Sequence, residues 1–240
     1  MERIVQLRSE GRGNKAVSVN TYLRCVKAFV KWAAEEKLIG EPVKLNWLKE
    51  EQRVLATLSQ EQVRRLVKWK PRNEGEKRLQ CMIGLLLDTG LRISEALSLT
   101  KDRVNLDNLT LIVYGKGQKE RVVPMSYEMR RLMYRWLLRH DFPVVFATRD
   151  GGKWSQRNAL RDCKKFGTLL GITGVRMSFH TMRHTFAINY IRNGGDVFRL
   201  QRILGHSTLE MTRRYVNLQT EDLQAVHNRF SPFAQQSSLR

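Results

Sequence analysis

HTMRHTFAINYIRNGGDVFRLQRILGHSTLEMTRRYVNL, residues His180 to Leu218, decides the reading of this chain. It holds three of the chain's five histidines. Its glycines and short polar residues divide it into three consecutive helices. Thr181 is placed to cap the first, which runs to Asn193 and stops at Gly194-Gly195. Asp196 caps the second, which ends at Gly205, and Ser207 with Glu210 forms a capping box for the third. Apolar Phe186, Ile188, Ile191, Leu200, Ile203 and Leu204 recur near helical spacing and anchor these helices in a core. The polar His180, Arg183, His206 and Tyr215 are left at helix starts and ends, where side chains can converge on one point.

Basic groups and a phenol at one point suit a phosphate. An arginine fork offers paired donors to non-bridging phosphate oxygens. Histidines donate to the same oxygens or move protons. Tyrosine is a latent nucleophile with an unperturbed pKa of ~10. Nothing in the stretch suggests a hydrolytic water or a metal cage. His180 and His184 have the four-residue spacing of a zinc pair, but Thr181 stands where a zincin has glutamate, and no third ligand follows. His184 is therefore read as a packing residue or as support for the groups around it.

The spacing carries more weight than the residue types. His180-x-x-Arg183, then Leu204-Gly205-His206, then Tyr215 nine residues later, strongly resembles the tyrosine recombinase (phage integrase) family. Thr89-Gly90-Leu91-Arg92-Ile93-Ser94-Glu95 resembles the family's first arginine motif. Gly115-Lys116-Gly117-Gln118-Lys119-Glu120-Arg121 resembles its lysine hairpin. The resemblance spans about residues 55 to 230.

It implies a site-specific recombinase with a mainly α fold and a small antiparallel β-sheet. Tyr215 is then the nucleophile, forming a 3′-phosphotyrosyl link. Arg92, Arg183, His180 and His206 hold the phosphate, and Lys116 is the general acid. Glu95 orients the neighbouring cations. Lys119 and Arg121 match the family less critically and contact backbone phosphates or nothing. No metal, cofactor or ATP is implied. The partners implied are two DNA duplexes carrying recombination sites and three further copies of the chain, in a tetramer linked through the C-terminal helix.

Composition agrees with a polyanionic partner. The formal net charge is +20 over 240 residues, and arginines sit inside the motifs. Residues 1–58 hold 11 Lys/Arg against 7 Asp/Glu, the remainder 32 against 16, so the larger C-terminal part carries the electrostatic footprint. Cys25, Cys81 and Cys163 are far apart and match no pairing or metal motif, as in a reduced cytosolic protein. No stretch reads as a signal peptide or as a membrane span. A cytoplasmic, nucleoid-associated protein is expected.

The chain reads as three regions. Residues 1–58 form a basic arm, a helix from Ser18 to Lys37 and a linker. The helix presents Tyr22, Leu23, Val26, Phe29, Val30 and Ala33 on one apolar face. The resemblance makes this segment only the second half of the family's core-binding domain, and so an incomplete clamp. Residues 59–230 form the catalytic domain. It opens with a Ser59/Gln62 capping box and a very apolar helix, Lys77 to Thr89, that Gly90 ends. A hairpin over Leu109–Pro124, a helix after Ser126, a short strand Val144–Ala147 and a helix after Ser155 follow. A last helix, Thr220 to Arg229, precedes a polar tail, 231–240. That helix has too little apolar surface to stand alone and must dock in cis or on a neighbour.

Two other functions share parts of this pattern. A type IB topoisomerase uses related chemistry. A non-catalytic regulator could use 196–215 as a helix-turn-helix, which leaves Arg92, Lys116 and Tyr215 unexplained.

Overall fold

In the computed structural model, which describes residues 15–41, 44–49, 56–115 and 119–216, the chain divides into two compact units, 1–54 and 55–240. The division falls four residues before the expected boundary at 58. Leu58 is 4% exposed, and its N–H donates to Thr185 Oγ1 at 3.0 Å, which ties it to the second unit.

The first unit is built on α1, Ala16–Glu35. Asn20 fastens the segment 44–49 to it, exchanging two 2.9 Å bonds with the Leu48 backbone. Of the apolar face read from the sequence, Ala33 is buried, but Tyr22 and Phe29 are 67% and 63% exposed. Periodicity therefore gave the helix and not its burial.

The second unit starts with α2, Gln60–Lys68, where the Ser59/Gln62 box forms in both directions. The apolar run becomes α3, Glu74–Thr89. It begins three residues earlier than expected because Asn73 Oδ1 caps it, accepting from Glu76 N. Leu79, Met82, Ile83, Leu85 and Leu86 are buried, making α3 the centre of the main core. Gly90 ends it at φ 64°; a Cβ there would lie 2.3 Å from Phe186 Cδ1, so the position needs glycine for both turn and space.

The short α4, Ile93–Leu97, and a 3₁₀ turn lead to the sheet: β1 Val104–Asn105, β2 Thr110–Tyr114 and β3 Glu120–Pro124, antiparallel in that order. The two-residue β1 is too short to show any alternation in the sequence. Leu111, Val113 and Val123 bury the inner face. The helix after Ser126 is α5, Tyr127–Leu137. Asp88 near the end of α3 accepts from Ser126 N at 2.9 Å, fixing where α5 begins. The strand expected at Val144–Ala147 does not form. Val144 and Ala147 make single bridges to Thr100 and Lys153, without a continuous partner strand.

After α6, Gln156–Leu169, come the three helices of the opening stretch: α7 Phe179–Arg192, α8 Val197–Leu204 and α9 Glu210–Val216. Two caps differ from the reading. Ser178, not Thr181, caps α7, its Oγ accepting from Thr181 N at 3.2 Å. The Thr181 hydroxyl instead donates to Arg176 O at 2.7 Å. The third helix begins only at Glu210, with Leu209 O accepting from Arg213 N, so Ser207 lies too early to cap it. Asp196 caps α8 as expected, accepting from Arg199 N at 2.8 Å. Ala187, Ile188, Ile191, Leu200, Leu204 and Tyr215 form a second core.

Cys81 and Cys163 are buried and Cys25 is exposed. Burial pushes the Cys163 thiol up to about 12. Among the described residues, no helix is long and apolar enough to cross a membrane.

Candidate active site

The last carbonyls of a helix have no partner within it and carry a partial negative charge. At the end of α8, Gly205 takes φ 64° and turns the chain away. Three successive carbonyls there each accept from one arginine, and each arginine comes from a different element. Arg121 Nε on β3 donates to Ile203 O at 2.9 Å. Arg183 Nη2 on α7 donates to Leu204 O at 2.8 Å. Arg92 Nη2, before α4, donates to Gly205 O at 3.2 Å. A Cβ on Gly205 would lie 2.9 Å from Arg121 Nη1, so glycine also makes room for the cluster.

Glu95 is the carboxylate among these cations. Its Oε1 accepts from Arg92 Nη1 at 2.9 Å and from Arg121 Nη1 at 2.9 Å, and its Oε2 from Arg121 Nη2 at 2.8 Å. Its Oε2 also accepts the Arg92 backbone N–H, closing the first turn of α4. Burial alone would raise this carboxyl. The Arg121 bonds and the Arg92 N–H outweigh it and hold the group below the usual carboxylate range. Two guanidinium groups thus share one carboxylate, and Arg183 adds a third positive charge to the cluster.

Arg183 lies deepest, at 6% exposure. Its Nη1 donates to Gly90 O at 2.7 Å, so it joins the end of α3 to the end of α8. Burial, and then the charge of Arg92, bring its guanidinium down to about 10. Its Nη2 also lies 3.0 Å from His206 Nε2. A guanidinium only donates, so Nε2 accepts and the ring proton sits on Nδ1, 2.9 Å from Thr212 Oγ1. Thr212 is fully buried. Three residues before Tyr215 on α9, it faces the same way; the sequence reading did not single it out, although that spacing was visible.

Tyr215 is 2% exposed. Its ring stacks on His206 at 13° with centroids 6.3 Å apart. Its hydroxyl lies 2.9 Å from His184 Nδ1. The surface tyrosine that its basic neighbours Arg213 and Arg214 suggest is thus an interior one, seated between two histidines. His184, read as a packing residue or as support for the groups around it, is in direct contact with the candidate nucleophile.

The other sequence candidates lie as follows. His180 is exposed on the first turn of α7, and Lys119 is exposed after the hairpin tip. Lys116 lies outside the described residues; the Gly115 N–Lys119 O bond of 2.9 Å closes the hairpin on either side of it. Among the described residues, no group of three or more His, Cys, Asp or Glu could hold a metal ion.

The arrangement is one of arginine and histidine side chains gathered beside a buried tyrosine, and the comparisons with known proteins give the family it belongs to. The model of the phage integrase family matches residues 56–222. The chain belongs to that family, the tyrosine recombinases. It is 32% identical over 233 residues to tyrosine recombinase XerD of Haemophilus ducreyi, covering 92% of this chain and 78% of the relative. It is 30% identical over 232 residues to XerD of Proteus mirabilis, covering 92% and 74%. Among solved structures, XerA recombinase superposes with TM-score 0.64 at 27% identity, over 76% of this chain and 67% of the other. The Tn1549 transposon integrase bound to transposon right end DNA has the same fold, with TM-score 0.76 at 22% identity over 94% and 82%.

Proposed function

We propose the following chemistry. The protein is a tyrosine site-specific recombinase that binds recombination-site DNA. Arg92 and Arg183 hold a scissile phosphate against the end of α8, with His180 supplying a further donor and His206 another once Arg183 turns to the phosphate and leaves its Nε2 to take up a proton. Glu95 and Arg121 fix the geometry of this clamp. That task takes up Nε and one N–H on each terminal nitrogen of Arg121; Lys119 and the remaining Arg121 N–H groups contact the DNA backbone. Tyr215 attacks the phosphorus, forming a 3′-phosphotyrosyl link, and Lys116 protonates the departing 5′ oxygen. The 5′-hydroxyl of a second duplex then attacks the link. The phosphodiester energy is kept in the covalent intermediate, so the exchange needs neither ATP nor a metal. The assembly is a homotetramer on two duplexes, linked through the C-terminal helix 220–229. That helix lies outside the described residues.

The observation that carries this reading is the gathering of Arg92, Arg183, His206 and Tyr215 around the carbonyl end of one short helix, where Arg92 meets a carbonyl 113 residues away. Incubation with genomic DNA fragments, followed by denaturation and sequencing of the fragments trapped on the protein, tests it. A covalent adduct is expected with wild type and none with Tyr215→Phe, which loses only a hydroxyl and keeps DNA binding. An adduct formed by Tyr215→Phe moves the nucleophile elsewhere. Strand transfer between two trapped-site duplexes distinguishes recombination from topoisomerase activity.

A further inference from the structure

Tyr215 must lose its hydroxyl proton as it attacks, and it sits in an interior site at 2% exposure. Ionising a phenol away from water without an acceptor is costly. The groups around it sort themselves by hydrogen bonding. His206 faces it with a stacked ring, and both His206 nitrogens are engaged, Nε2 by Arg183 and Nδ1 by Thr212. Arg183 and Arg92 have no lone pair to offer. Among the described residues, the acceptor within hydrogen-bond distance of the hydroxyl is His184 Nδ1, at 2.9 Å. His184 directly follows Arg183 on α7, whose buried side is anchored by Thr185, Ala187 and Ile188. The imidazole is thus mounted on the same rigid turn as the phosphate clamp.

We propose that His184 is a further catalytic residue of this recombinase, the group that takes the nucleophile's proton. This rests on the reading of Tyr215 as the nucleophile. As the Tyr215 Oη–phosphorus bond forms, the Oη proton passes to His184 Nδ1. The phosphorus–O5′ bond breaks, and its electron pair leaves on O5′, which takes a proton from the general acid, Lys116. When a 5′-hydroxyl attacks the phosphotyrosine, His184 returns the proton to Oη. The same residue therefore serves cleavage and rejoining.

Two experiments on the full chain test this. The first needs no DNA. Histidine ¹⁵N spectra of the wild type should show His184 with Nδ1 unprotonated and its proton on Nε2, and Tyr215→Phe should shift that Nδ1 signal. A protonated Nδ1 that donates to the tyrosine, or a signal indifferent to Tyr215→Phe, overturns the proposal. The second uses a duplex carrying a sequence trapped by the wild type, made with either oxygen or sulfur at the bridging 5′ position. A 5′-thiolate leaves without protonation. His184→Gln should slow adduct formation ~100-fold, the usual scale for a positioned acid or base, on both duplexes. Lys116→Ala should recover on the sulfur duplex. A His184→Gln rate within twofold of wild type, or recovery with sulfur, places His184 outside nucleophile activation. The wild-type adduct at Tyr215 would stand in either case. Should His184→Gln fail to fold, the wild-type spectra decide.

Discussion

Arg92 and Arg183 occupy matching places in their motifs, and the sequence pairs them as one clamp. The fold gives them different surroundings. The Arg92 side chain is 38% exposed, held by Glu95 at Nη1 and by the single Gly205 carbonyl at Nη2. Arg183 is 6% exposed and joins Gly90 O, Leu204 O and His206. One arginine is a contact surface. The other is also a structural tie between the ends of two helices. The difference teaches that motif position identifies a charge, while the number of carbonyls around it decides what else the charge holds together.

The largest expected effects test that split directly. Arg92→Ala and Arg183→Ala should each lower single-turnover cleavage by ~10² to 10³, the loss for one transition-state donor. Their unfolding curves should part company. Arg92→Ala removes a half-exposed ion pair worth about 1 kcal/mol or less. Arg183→Ala leaves two buried carbonyls without this partner and should cost about 3 kcal/mol, read as a lower urea midpoint. Equal midpoints for the two variants would erase the distinction.

Glu95→Gln sharpens the comparison from the other side. Glu95 is 4% exposed at its side chain and bonded to two arginines, so removing its charge should destabilise the fold by about 3 kcal/mol. The pH dependence follows from its lowered pKa. The folded state binds this proton less readily than the unfolded chain does. The stabilisation is complete above the unfolded value of ~4.3 and is lost as pH falls through the lower folded value. Acid unfolding of Glu95→Gln should therefore lack that component. If its stability falls with acid as steeply as the wild type's, Glu95 is not the charge that holds the cluster. The smallest effect concerns salt. Arg92→Ala should make the log–log slope of DNA binding shallower by ~0.9, one phosphate contact. No change of slope would mean that Arg92 does not meet the backbone.

Local features were readable wherever one residue determines its own turn. Asp196 capping α8, the Ser59/Gln62 box, and Gly90 and Gly205 in left-handed turns needed no tertiary information. Capping failed where a second candidate stood nearby. Ser178 took the place read for Thr181, because a cap is decided by where the chain enters the helix. The apolar face of α1 was legible as a pattern, but its exposure depends on what else packs there.

The sequence by itself determined the family, the set of ionisable groups and their order along the chain. These are carried by residue identity and spacing, which folding does not alter. Tertiary structure decided the partnerships. Arg121, 82 residues from Ile203, became a tie to the end of α8 and to Glu95. His184, read as packing or support, met the Tyr215 hydroxyl across 31 residues. The physical reason lies in the backbone. Unsatisfied carbonyls at a helix end and a buried hydroxyl each require a partner, and only the path of the chain in space determines which side chain is near enough to supply it.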